Sequence, residues 1–138
     1  MRAALTLIVL AATSMLLVVS PALAGGKSSS SISLVTFDSA SVASTTAGTP
    51  AYGDQITFAV STTATDRPYV ILNCYQGGNW IYAAQAGFWA DYAPGQMFTL
   101  AASSWAGGAA DCTATVGVQN ADGTKFRALA STTFHVGA

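Results

Sequence analysis

The chain has no glutamate, one histidine, two cysteines and little charge of either sign. Charged residues make up 8% of its 138 residues, while hydrophobic residues make up 51%. Each scarcity excludes a class of chemistry. A zinc site needs three or four ligands drawn from His, Cys and carboxylates, which His135 and two mutually paired cysteines do not supply. One imidazole is available to activate a serine, and no Gly-x-Ser-x-Gly elbow accompanies it. The only carboxylate side chains are Asp38, Asp54, Asp66, Asp91, Asp111 and Asp122, with no Asp-x-Asp-x-Asp run of the kind that holds calcium. Glycoside hydrolysis needs two apposed carboxyl groups. Asp91 and Asp111 are the candidate pair, although a turn or strand-entry role is the simpler reading of each. Lys27, Arg67, Lys125 and Arg127 form no basic stripe, which argues against nucleic acid and against anionic membranes as partners. No metal, cofactor or catalytic residue is called for, and the sequence reads as that of a non-enzyme.

What is present begins with the first 24 residues. Arg2 supplies a positive start, and Leu5 to Val19 form an apolar run broken only by Thr6, Thr13 and Ser14. Pro21 leads into the small-x-small site Ala22-Leu23-Ala24. This is the pattern of a cleaved secretory signal peptide, residues 1–24. The apolar run is short of the ~20 residues that span a bilayer, so no membrane insertion is expected after cleavage. Removing 24 of 138 residues leaves 114, Gly25–Ala138, with four bases against six acids and hence a net charge of −2. Residues 25–31, GGKSSSS, read as a flexible Gly/Ser-rich tether, and 32–138 as one domain of common size. In an oxidising extracellular compartment Cys74 and Cys112 should pair.

After the leader the period is two. Gln55–Ser61 places Ile56, Phe58 and Val60 on one face. Tyr69–Gln76 turns Val70, Leu72 and Cys74 one way and Tyr69, Ile71 and Tyr75 the other. Gln76-Gly77-Gly78-Asn79 signals a hairpin into Asn79–Ala84. Further strands read over Ile32–Phe37, Met97–Ala101, Asp111–Val118 and Thr124–Val136, separated by Pro, Gly and Asp-Gly turns. Seven short antiparallel strands and no helical pattern predict an all-β, immunoglobulin-like two-sheet sandwich, with a small closed barrel as the competing architecture. In the sandwich, Tyr69–Gln76 and Asp111–Val118 are antiparallel neighbours. Setting Cys74 opposite Cys112 then aligns Leu72 with Ala114 and Val70 with Val116. One register therefore satisfies the disulfide and the apolar pattern together.

Three segments carry a resemblance: Tyr52-Gly53-Asp54-Gln55-Ile56-Thr57-Phe58-Ala59-Val60, Asn73-Cys74-Tyr75-Gln76, and Gly107-Gly108-Ala109-Ala110-Asp111-Cys112-Thr113-Ala114. Around them the chain resembles the immunoglobulin-like domains of secreted actinobacterial and phage-associated proteins, over about Ile32–Val136. The resemblance implies a binding or presentation module with a Cys74–Cys112 bridge and no catalytic residues. The chain departs from antibody-type domains in two places. Ile71 and Leu72 stand where a buried Trp would sit, and Ala110 stands two residues before Cys112 in place of a Tyr.

The aromatic distribution carries the functional expectation. Tyr69, Tyr75, Trp80, Tyr82, Phe88, Trp89 and Tyr92 lie within 24 residues and are half of the chain's aromatics. Tyr69 and Tyr75 point away from inward Cys74, and Trp80 and Tyr82 share a face by alternation. Tyr69, Tyr75, Trp80 and Tyr82 are thus the candidate ligand-binding residues. They present rigid rings suited to a glycan or a surface protein. The competing reading has Trp80, Phe88 and Trp89 capping the core. A self-packing envelope protein and a carrier with an apolar cleft are the other functional classes. His135 falls opposite Phe134 and Val136 and reads as a surface residue.

Overall fold

A computed structural model describes residues 27–37, 43–44 and 48–138. The expected signal peptide and the first two residues of the tether lie outside the described residues. Among the described residues eight strands form: β1 (Ser30–Phe37), β2 (Ala43–Ser44), β3 (Gln55–Thr62), β4 (Tyr69–Gln76), β5 (Asn79–Gly87), β6 (Phe98–Thr99), β7 (Ala110–Gln119) and β8 (Phe126–Val136). They make two four-stranded antiparallel sheets, β2-β1-β3-β6 and β5-β4-β7-β8. An isolated parallel bridge, Ala51 to Gly137, links the segment before β3 to the residue after β8. This is the sandwich and not the closed barrel. No helix among the described residues is long and apolar enough to cross a membrane.

The strands form where the period-two pattern lies. The β4–β5 hairpin closes on Gly77 and Gly78, with φ of 57° and 81°. Two consecutive positive φ values are what a two-residue turn matching the strand twist requires, and glycine adopts them without a Cβ clash. Two short elements depart from the sequence expectation. β2, a two-residue pairing of Ala43 and Ser44 with Phe37 and Thr36, is additional. β6 is confined to Phe98–Thr99, because Ala101 N–H turns back to the Thr99 carbonyl.

The two sheets bury one apolar core with no buried polar or charged side chain among the described residues. Phe58 of β3 is its hub. Its ring centroid lies 5.5 Å from Phe98, 6.1 Å from Phe134 and 6.4 Å from Phe88. Edge-on and tilted packing at such distances adds to the area term. Val70, Leu72, Ala114 and Val116 are fully buried on the facing sheet. The predicted register holds: Cys74 faces Cys112, Leu72 faces Ala114 and Val70 faces Val116. The Cys74–Cys112 disulfide links neighbouring strands of one sheet across a Cα–Cα distance of 4.1 Å.

Candidate binding face

The outer face of β5-β4-β7-β8 is set by what β4 buries. Val70, Leu72 and Cys74 point into the core, so alternation turns Tyr69, Ile71, Asn73 and Tyr75 outward. Tyr75 is paired with Trp80 of β5 on one side and Asp111 of β7 on the other, and Asp111 is paired with His135 of β8. One transverse row therefore crosses all four strands: Trp80, Tyr75, Asp111, His135. Trp80 is 63% exposed and Tyr75 42%. The indole is not loose, since Trp80 Nε1 donates to Asn73 Oδ1 at 3.1 Å. Asp111 Oδ1 lies 2.9 Å from His135 Nδ1. Because an ionised carboxylate only accepts, Nδ1 carries the hydrogen. The next rows along the face are Ala83, Asn73, Thr113, Thr133 and then Gln85, Ile71, Thr115, Ser131. The surroundings of the row are thus mostly hydroxyl and amide groups, with Ala83 and Ile71 the apolar members, and contain no Lys or Arg.

Tyr82 corrects the sequence expectation. It is 8% exposed and belongs to the core, on the opposite side of β5 from the solvent-facing Trp80. The cause is a β-bulge. Cys74 pairs with Tyr82 but Tyr75 pairs with Trp80, so Ile81 is an extra residue and alternation slips by one. Tyr82 packs at 6.2 Å from the buried Trp105. Burial disfavours its phenolate and pushes the phenol above its ordinary value.

Tyr69 faces outward as expected but sits at the other end of β4, about 20 Å from Tyr75 along the strand. It is half-buried in a packed cluster and presents no free ring. Its ring meets Trp89 edge-on at 5.0 Å, Trp89 meets Tyr92 at 4.9 Å, and Arg67 lies over Trp89 at 5.7 Å. Tyr69 is paired with Gly87 on β5 and Gly117 on β7. The space their missing side chains leave is taken by Trp89 and Tyr92 above Gly87 and by Phe126 above Gly117. A Gly87→Ala methyl would overlap the Trp89 ring and lie 2.6 Å from Tyr92 Cδ2. We expect Gly87→Ala to destabilise by about 2 kcal/mol through overpacking, with a change in tryptophan fluorescence. An unchanged spectrum and thermal midpoint would show that the cluster is not packed as described.

The four candidates therefore separate into an adjacent exposed pair, Tyr75 and Trp80, a structural residue, Tyr69, and a core residue, Tyr82. Asp111 and His135 join the pair, a placement that sequence periodicity alone did not reveal. Asp91 follows Gly87 at the Tyr69 end of the sheet, whereas Asp111 lies at the Tyr75 end, so the two carboxylates do not meet. No group of three metal-ligating side chains occurs among the described residues. The loops beyond Tyr69 enclose an open cleft of about 590 Å³ whose lining includes Asp66, Arg67, Trp89, Asn120 and Asp122. Its mixed charge and openness differ from the enclosed apolar pocket a small-ligand carrier needs. No family model matches the chain, and neither a curated protein nor a solved structure matches it.

Proposed function

We propose that this is a secreted, non-enzymatic binding module that uses the outer face around Trp80 and Tyr75 to hold a glycan or a protein at the cell surface. The observation that carries the reading is the Trp80–Tyr75 cross-strand pair, two large rings left in water side by side on a rigid sheet. A monomer seldom exposes such a pair without a use for it. Extracellular placement is supported by the leader pattern and by the disulfide, which forms in oxidising compartments.

The test is a glycan array and a surface-protein capture run with the wild type, Trp80→Ala and Tyr75→Ser. Each substitution should cost at least ~2 kcal/mol of binding, the size of a hot-spot truncation. Each should also leave the thermal midpoint within a few degrees, because neither ring is in the core. Binding that survives Trp80→Ala overturns the reading.

A further inference from the structure

Resting on that reading, we infer that Asp111 and His135 are the polar half of the same site, and that its ligand is a neutral glycan lying across the strands along the row Trp80–Tyr75–Asp111–His135. The row spans three inter-strand spacings, about 14 Å, long enough for more than one sugar ring. Its two halves offer the two things a pyranose needs. Trp80 and Tyr75 give flat apolar surface for the C–H face of a ring. Asp111 gives a carboxylate, the strongest acceptor available for hydroxyl groups, because hydrogen bonds to a charged acceptor are about twice as strong as neutral ones.

The geometry aims that acceptor outward. Oδ1 accepts from His135 Nδ1, and the Asp111 side chain is 89% exposed. Oδ2 is left to accept from a hydroxyl, and Nε2 of His135, on a side chain 57% exposed, is the next polar atom along the row. Asn73, Thr113 and Thr133 in the adjacent row continue the hydroxyl and amide surface. His135 acts through Asp111 and is a positioning residue.

Charge selects the ligand class. The row and its two neighbouring rows contain a carboxylate and no Lys or Arg, so uronate, sulfate or phosphate groups would meet repulsion without a counter-charge. A protein partner is the poorer match. A standard interface buries about 800 Å² per side around an apolar centre, whereas here the row beside the two rings carries Asn73, Thr113 and Thr133, with Ala83 its one apolar member.

Titration calorimetry on the purified protein tests this with neutral hexasaccharides of β-1,4-glucose, β-1,4-xylose, β-1,4-mannose and N-acetylglucosamine, and with oligogalacturonate as the acidic control. At least one neutral series should bind and the acidic one should not. Asp111→Asn should weaken binding about tenfold with an unchanged thermal midpoint. His135→Leu should weaken it severalfold, and His135→Gln, whose amide can still donate to the carboxylate, should recover part of the loss. If Trp80→Ala abolishes binding while Asp111→Asn binds like the wild type, the row inference falls and the aromatic reading stands. The row inference falls in the same way if no neutral sugar binds at millimolar concentration but a protein is captured in a Trp80-dependent manner, or if the acidic control is preferred. If Trp80→Ala binds like the wild type, both fall.

Discussion

Replacing Cys74 and Cys112 together with alanine should lower the stability by about 4 kcal/mol, the chain-entropy value for a closed loop of this length. The bridged residues are 38 apart in sequence, and β5, β6 and the connections between them lie inside the loop. Opening it returns that whole stretch to the unfolded chain's freedom. For a domain of this size the loss corresponds to a fall in thermal midpoint of roughly 15 °C. The native side contributes as well, because Cys74 and Cys112 are 0% and 1% exposed and pack in the core. Alanine leaves small voids there, whereas serine would bury a hydroxyl without a partner and should cost more. Calorimetry of the double alanine variant beside the oxidised wild type checks the value. A loss below about 1 kcal/mol would show that the bridge constrains little.

That bridge was legible in the sequence for a definite reason. The two cysteines can pair only with each other, and setting them opposite in Tyr69–Gln76 and Asp111–Val118 gives a register that also aligns both apolar sets. The outward direction of Tyr69 and Tyr75 follows from the same alternation. What periodicity could not reveal follows from two bulges. Counting back from the tight turn at Gly77-Gly78 sets Cys74 opposite Ile81, and only the extra residue restores Tyr82 to that place. Trp80, Ile81 and Tyr82 are three consecutive large residues, so neither register violates the hydrophobic pattern and nothing local marks the bulge. In β7–β8, Gln119 faces Phe126 and Gly117 faces Ala128, a count that would bring Asp111 to Phe134. The irregularity between Val116 and Gly117 shifts the remaining pairs by one, so Asp111 meets His135 instead. The partnership of the two polar residues thus depends on a bulge about six residues away. The outward direction of Tyr75 was visible from the period, while the separation of Trp80 from Tyr82 and the polar continuation of the row required the three-dimensional register.

Trp105→Ala should be as damaging as loss of the disulfide, although Trp105 lies in the connection after β6 and outside any strand. It is 1% exposed and is the largest fully buried side chain. The tryptophan absent from β4 is in this sense supplied from a loop. Its ring meets Tyr52 edge-on at 5.2 Å and Tyr82 at 6.2 Å, and its Nε1 donates to the Gly108 carbonyl at 3.2 Å. Gly107 and Gly108, with φ of 98° and 85°, bend the chain so that this carbonyl can be reached. The same loop is fastened to the β4–β5 hairpin. Gln76 Nε2 donates to the Gly107 and Ala109 carbonyls, each at 3.0 Å, and Ser104 Oγ donates to the Ile81 carbonyl. Truncation to alanine should therefore cost about 4 kcal/mol through cavity formation. It also removes the surface on which Tyr82 rests, and with it support for the hairpin that carries Trp80. Trp105→Phe keeps most of the apolar contact but leaves the Gly108 carbonyl without its donor, and should cost on the order of 1–2 kcal/mol. The two variants then divide stability from recognition. Trp105→Phe should bind with wild-type affinity at a temperature well below its midpoint, whereas Trp105→Ala should lose both affinity and stability. Equal thermal midpoints for Trp105→Ala and the wild type would mean that the loop is not held to the hairpin by this ring, and that Trp80 is presented by some other means.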